Sequence, residues 1–194
     1  AIHRDLSEVS SSGGSGRPRL LLMGPNLAYG DHEVLRMIGE AGADVVIEEI
    51  FEGLRDYWYS IDQGVAPSLG GTTGGGVTGA ASSQGDPSSG GADLMEVLAR
   101  GYLLGKRPAT FMRGSTRKRL EFVLQLIQDF DVAGVLWYQL ICCEFYDQES
   151  YYFEKALRDR GIHMLMVESD YRTQEMGPAR TRMEAFVEMI AGGP

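Results

Sequence analysis

The chain has 194 residues, 43% hydrophobic and 23% charged, with a formal net charge of -9. That is an ordinary globular composition, sufficient for one domain with a substantial core or two small ones. The acidic balance argues against a nucleic-acid groove, where Lys and Arg dominate a face, and no segment approaches the run of about 20 apolar residues that spans a bilayer.

The start, AIHRDLSEVS, lacks the apolar core of a secretory signal and an initiator Met, as expected of a piece of a longer chain. Residues 1–16, ending in SSSGGSG, read as a flexible leader. RLLLMG, Arg19 to Gly24, is a short apolar run stopped by Gly-Pro, which predicts a buried strand. Asp31 can cap a helix with Val34, Leu35 and Ile38 on one face, and Gly42 supplies its stop. ADVVIEEI follows as a second buried strand ending in acids. Strand, helix, strand is the signature of a parallel sheet.

Between about residues 64 and 91 the chain is rich in Gly and Ser and loses periodicity, so it reads as a surface insertion. It is not a phosphate loop, because no Gly-Lys-Ser/Thr follows and no strand and helix flank it. Helical pattern resumes over Asp93 to Gly105 and again at Ser115, where Leu120, Val123, Leu124, Ile127 and Phe130 share a face. The second of these helices begins basic and ends acidic, against its dipole. Either its cations face a partner or the small cost is tolerated. VAGVLWYQLI is the third strand, ESYYFEKALRDRG a helix from about Glu149, and IHMLMVESDY the fourth strand. A last helix sets Met183, Phe186, Val187 and Ile190 in one stripe. Residues 17–194 are thus expected to form a single α/β domain, a doubly wound parallel sheet of about four strands with helices on both faces.

Ligands of such sheets sit beyond the carboxyl ends of the strands. Those ends are Gly24-Pro25-Asn26, Glu48-Glu49, Cys142-Cys143-Glu144 and Glu168-Ser169-Asp170. The loop GPNLAYG has no G-x-G-x-x-G, which removes the dinucleotide fingerprint. CCEFYDQES contains no Arg to hold a phosphate against a thiolate, and His3, His32 and His163 are poorly placed to activate one. The two cysteines are adjacent, so a disulfide would be strained and close no useful loop, and a reducing cytoplasm is expected. Successive side chains on an extended segment point apart, so one thiol is a candidate metal ligand and the other packs into the core. A purely structural pair of cysteines stands beside that reading.

The stretch RPRLLLMGPNLAYGDHEVLRMIGEAGADVVIEEIFEGLRDYW resembles the start of the carboxyl-terminal domain of 2-hydroxyacyl-CoA dehydratase and benzoyl-CoA reductase subunits. GVLWYQLICCEFYDQESYYFEKALRDRGIHMLMVESDY and GPARTRMEAFVEMI are similar to that family's ending. The resemblance implies the carboxyl-terminal half of a two-domain subunit that pairs with a second homologous subunit. It implies a 4Fe–4S cluster in the full-length protein, most of its cysteines lying in the amino-terminal domain, so that this chain alone would not retain it. The family cysteine of this region falls on Cys143, with Cys142 as the alternative. An ATP-dependent iron–sulfur activator would supply an electron for removing water from a 2-hydroxyacyl-CoA, or for reducing an aromatic ring in the reductases. A non-catalytic relay or scaffold subunit is a further possibility within the family, and a flavodoxin-like binding module lies outside it. Tyr138, Tyr146, Glu149 and Glu168 are the residues that can line such a site; Glu149 matches a family glutamate, although an acid at a helix start suits the dipole equally. Thr181 and Arg182 read as a capping and salt-bridge pair.

Overall fold

A computed structural model describes residues 16–27, 32–50, 53, 94–101, 115–170 and 177–192. The expected leader, save Gly16, the Gly/Ser-rich stretch at 64–91 and the helix cap Asp31 lie outside them. The strands are β1 (Arg19–Gly24), β2 (Asp44–Ile50), β3 (Gly134–Leu140) and β4 (Met164–Ser169). The helices are α1 (Glu33–Glu40), α2 (Leu94–Arg100), α3 (Ser115–Asp129), α4 (Glu144–Arg158) and α5 (Gly177–Ala191). All strands pair in parallel, in the order β2-β1-β3-β4.

The two central strands are buried on both faces, which is why LLLM and VLWY are unbroken apolar runs rather than alternating ones. One face packs Leu20, Leu22, Leu136 and Val167 against Val34 and Ile38 of α1 and Met183 and Phe186 of α5. The other packs Leu21, Met23, Val135 and Trp137 against Val123 and Leu126 of α3 and Phe153 and Leu157 of α4. The sheet is therefore doubly wound, with one core on each side. Among the described residues no helix is long and apolar enough to cross a membrane.

Two helices depart from the pattern read in the sequence. In α1 the buried stripe is Val34, Met37 and Ile38, while Leu35 turns partly to solvent. Spacing by three and four keeps residues on one face; the adjacent position is rotated by a quarter turn or more. Helix α4 starts at Glu144, not near Glu149. Glu144 and Asp147 sit in its first turn and Lys155 and Arg158 in its last, the arrangement the helix dipole favours. Gly42 ends the α1 turn at φ 88°, and Met183, Phe186 and Val187 of α5 are buried, both as expected.

Candidate functional site

The chain leaves β1 toward β2 on one side and places β3 on the other side of β1. The strand order therefore turns between β1 and β3, and the carboxyl edge at such a point is where doubly wound folds bind ligands. The strands approach closely here. A Cβ on Gly24 would stand 1.9 Å from the Tyr138 carbonyl oxygen, and Gly24 has φ 140°, so this corner requires glycine.

Opposite Gly24 the chain turns at Ile141 and Cys142 and enters α4. Cys142 is exposed and held in the left-handed region at φ 66°, an uncommon conformation for a residue with a side chain. Cys143 is half-buried, occupies the N-cap position and packs against the α3–α4 core. The pair thus sits in a turn rather than on an extended segment, and their exposures differ for that reason. Both are free thiols.

A second polar assembly lies on the α3–α4 side. Register shifts between Leu20 and Leu21 of β1, so that Leu20 pairs with Val45 and Leu21 with Ile47. The extra residue resets the alternation of β2. Val45 packs on the α1–α5 core and Ile47 on the opposite one, and Glu49, two residues further, shares the side of Ile47. There it meets Arg119 of α3: Nε and Nη2 donate to Glu49 Oε1 and Oε2 at 3.2 and 2.8 Å. The third arm, Nη1, donates to Glu149 Oε2 on α4. All three side chains are essentially inaccessible to water. The guanidinium also lies 5.3 Å from the centroid of the Phe153 ring. Burial works against the charge of Arg119, but the carboxylates of Glu49 and then Glu149 outweigh it and raise its pKa above the ordinary arginine value. Beside this cluster, Thr116, Gln148, Glu149 and Tyr152 line a cavity of about 330 Å³.

The residues singled out from sequence divide between the two faces. Tyr138 is wholly buried in the α1–α5 core, whereas Tyr146 packs on Trp137 on the other side, so the two tyrosines do not share a site. The buried Tyr146 hydroxyl has no hydrogen-bond partner among the described residues. Glu149 is not a helix-start acid; it lies in the second turn of α4 and faces inward. Glu168 is exposed and accepts from Gln139 Nε2 at 3.1 Å. Gln139 in turn accepts from Trp137 Nε1 at 2.9 Å, tying the core to the rim. The expected capping and salt-bridge pair is not seen among the described residues: Thr181 Oγ1 donates to the Gly177 carbonyl within α5, Arg182 donates to the Met166 carbonyl, and Arg180 carries the ion pairs, to Glu33 and Glu40.

Arg119 escaped the sequence reading, which left the cations at the start of α3 either facing a partner or tolerated at a small cost. Its signal is positional. Arg119, Phe122, Val123 and Leu126 fall at i, i+3, i+4 and i+7, so the arginine belongs to the buried stripe.

A 4Fe–4S cluster takes four thiolates, or nearly so. Among the described residues no group of three or more His, Cys, Asp or Glu can hold a metal ion. The donors here amount to two adjacent thiols, which do not fit a cluster held by these residues alone.

These features define a doubly wound α/β domain with a thiol pair at the carboxyl end of β3 and a buried carboxylate–guanidinium cluster joining β2, α3 and α4. Residues 73–190 match the family described as 2-hydroxyglutaryl-CoA dehydratase, D-component, and the chain belongs to that family. A relative from Escherichia coli (strain K12), "Putative dehydratase subunit YjiM", is 27% identical over 176 residues, covering 90% of this chain. The chain spans 38% of that relative's length.

Proposed function

We propose that the chain is the carboxyl-terminal α/β domain of a subunit of a 2-hydroxyacyl-CoA dehydratase, which removes water from a 2-hydroxyacyl-CoA to leave an enoyl-CoA. The family match over residues 73–190 carries this reading. Both the family and the relative are named for dehydratases, which favours dehydration over ring reduction. That the chain spans 38% of the relative supports its being one domain of a longer subunit.

On this reading Cys143 supplies one ligand to a 4Fe–4S cluster, with Cys142 as the alternative, and the remaining ligands come from a preceding domain. Such a cluster would supply single electrons at low potential. An ATP-driven iron–sulfur activator and a second homologous subunit complete the system, in the cytoplasm. What this chain contributes is a preorganised edge. The β1 and β3 corners fix the loop carrying the thiols, and Gln139 anchors Glu168 beside it.

The test is co-expression of the full-length subunit with its partner in the absence of oxygen. A brown protein that forms enoyl-CoA from a 2-hydroxyacyl-CoA is expected, with the iron–sulfur absorption lost in Cys143→Ser and kept in Cys142→Ser. Equal absorption in both variants sinks the ligand assignment. A complex in which only the partner subunit binds acyl-CoA would make this one an electron relay.

A further inference from the structure

Four of the seven large apolar side chains exposed among the described residues fall within twelve positions: Ile141, Phe145, Tyr151 and Tyr152. The last three are on α4, whose inner face is already filled by Tyr146, Phe153 and Leu157. Tyr151 is 71% exposed and Phe145 65%. Rings of this size gain by leaving water, and a concentrated exposed patch of them marks an interaction surface.

The polar residues around the rings say what fits there. At about 100° per residue, Glu144, Gln148, Tyr151, Tyr152 and Lys155 occupy one outward arc of α4, and all are exposed. Phe145 flanks that arc. Glu144 is in the first turn and Lys155 in the last. They are eleven residues apart, close to three whole turns, so they lie in line along the helix, roughly 16 Å from each other. The ion pairs on α4 join Glu149 to Arg119 and Glu154 to Arg158, so neither end charge is paired among the described residues.

Such a stripe is complementary to itself. Turned by 180° about an axis midway between Glu144 and Lys155, a second α4 sets its Lys155 on Glu144 and its Glu144 on Lys155. Gln148 of each copy then faces Tyr151 of the other, with Tyr152 beside them. A parallel pair would instead oppose Glu144 to Glu144 and Lys155 to Lys155. The charges therefore select antiparallel packing across a twofold axis.

We propose that the outer face of α4 is a self-association surface, on which a second copy of this chain packs antiparallel with Glu144 and Lys155 paired at both ends. A contact along one helix is at the small end of protein interfaces, and the net charge of -9 opposes it. The dimer is therefore reversible, with a Kd on the order of 10 μM. The inference does not depend on the functional reading above.

Sedimentation velocity of the full-length subunit, alone and with its partner subunit, tests this from well below to well above that concentration. The mass of the sedimenting species should double as concentration rises. Tyr151→Ser should weaken association about tenfold, the loss expected of a central interface aromatic. Glu144→Lys and Lys155→Glu each turn the attraction at both ends into repulsion, and each alone should weaken association about tenfold or more. Mixed in equal amounts, these two variants should associate as well as the wild type, because each copy then meets opposite charge at both ends. All three positions are exposed, and recovery on mixing shows that the two charge variants are folded. No association at any concentration, or a mixture that associates no better than either variant alone, overturns the proposal. So does a dimer that all three variants leave unchanged, since it uses another surface. If Tyr151→Ser instead releases the partner subunit, α4 is the seat of that subunit and self-association falls.

Discussion

Arg119 Nη2 stands 2.8 Å from Glu49 Oε2 with both side chains withdrawn completely from water. With Glu149 on the third arm, one guanidinium joins the end of an edge strand to two helices that are otherwise linked through apolar packing. A buried ion cluster is weak ground for claiming net stability, since apolar replacements of similar volume often do as well. Removing one partner is a different matter.

Arg119→Met leaves two carboxylates buried together without their cation, at an expected cost of about 3–5 kcal/mol. Urea denaturation measures it, and Arg119→Lys should recover part by restoring charge without the fork. The pKa of Arg119 is raised in the folded state, so its contribution is fully present below the unfolded value and lost only as pH rises through the folded one. Both values lie far above neutral, so the wild type should show no loss from this group between about pH 7 and about pH 10. A cost for Arg119→Met near zero would mean that the cluster is solvated in solution.

Gly24→Ala tests the corner between β1 and β3. The new Cβ meets a backbone oxygen, which cannot rotate away, at a φ that side chains rarely adopt. The cost should exceed about 1 kcal/mol. Gly134→Ala provides the contrast. There the nearest atom is Phe186 Cζ at 2.8 Å, the end of a side chain that can shift. Equal midpoints for the two variants in denaturant would remove the claim that Gly24 fixes the binding edge.

The four strands and the α5 stripe were legible in the sequence because each is written in local periodicity, and the parallel sheet followed from the alternation of strands and helices. The start of α4 was not. CCEFYDQ carries two thiols, two acids and two aromatics, and only the exposure of Phe145 and burial of Tyr146 reveal a helical face there. The Glu49–Arg119–Glu149 cluster was illegible for a further reason. It joins residues 70 and 30 positions apart, and one of them reaches the correct side of the sheet only through the extra residue in β2. Local pattern reports neither long-range pairing nor a register shift. The thiol pair was located on the right edge but misread as extended, since nothing in the sequence announces a left-handed cysteine.

Acid should loosen the contact between α1 and α5. The hydrogen bond from Arg180 holds the Glu40 carboxyl below its ordinary range; partial desolvation opposes it, and the charges of Arg180 and Arg36 add to it. A lowered folded pKa contributes stability that is present above the unfolded value, about 4.3 for a glutamate, and is lost as pH falls through the folded one. The pair is at the surface, so the effect is small and salt-sensitive. Melting temperatures measured downward from about pH 5 should fall less steeply in Glu40→Gln than in the wild type. Parallel curves would show that the pair contributes nothing to the acid limb.

The thiols should differ in reactivity with alkylating reagents. Cys142 presents its side chain to solvent from a turn, while Cys143 caps α4 and leans on the α3–α4 core. Access alone should make Cys142 the faster to react with iodoacetamide in the native protein, with the order read by peptide mass spectrometry at partial labelling. The difference should vanish in denaturant, where neighbouring cysteines become equivalent. Cys142→Gly offers an independent check, because relieving a left-handed side-chain residue should stabilise the domain by about 1 kcal/mol. If Cys143 labels first, the turn opens in solution and the inner thiol is the accessible one. In that case the case for Cys143 as a ligand rests on reach rather than on shelter.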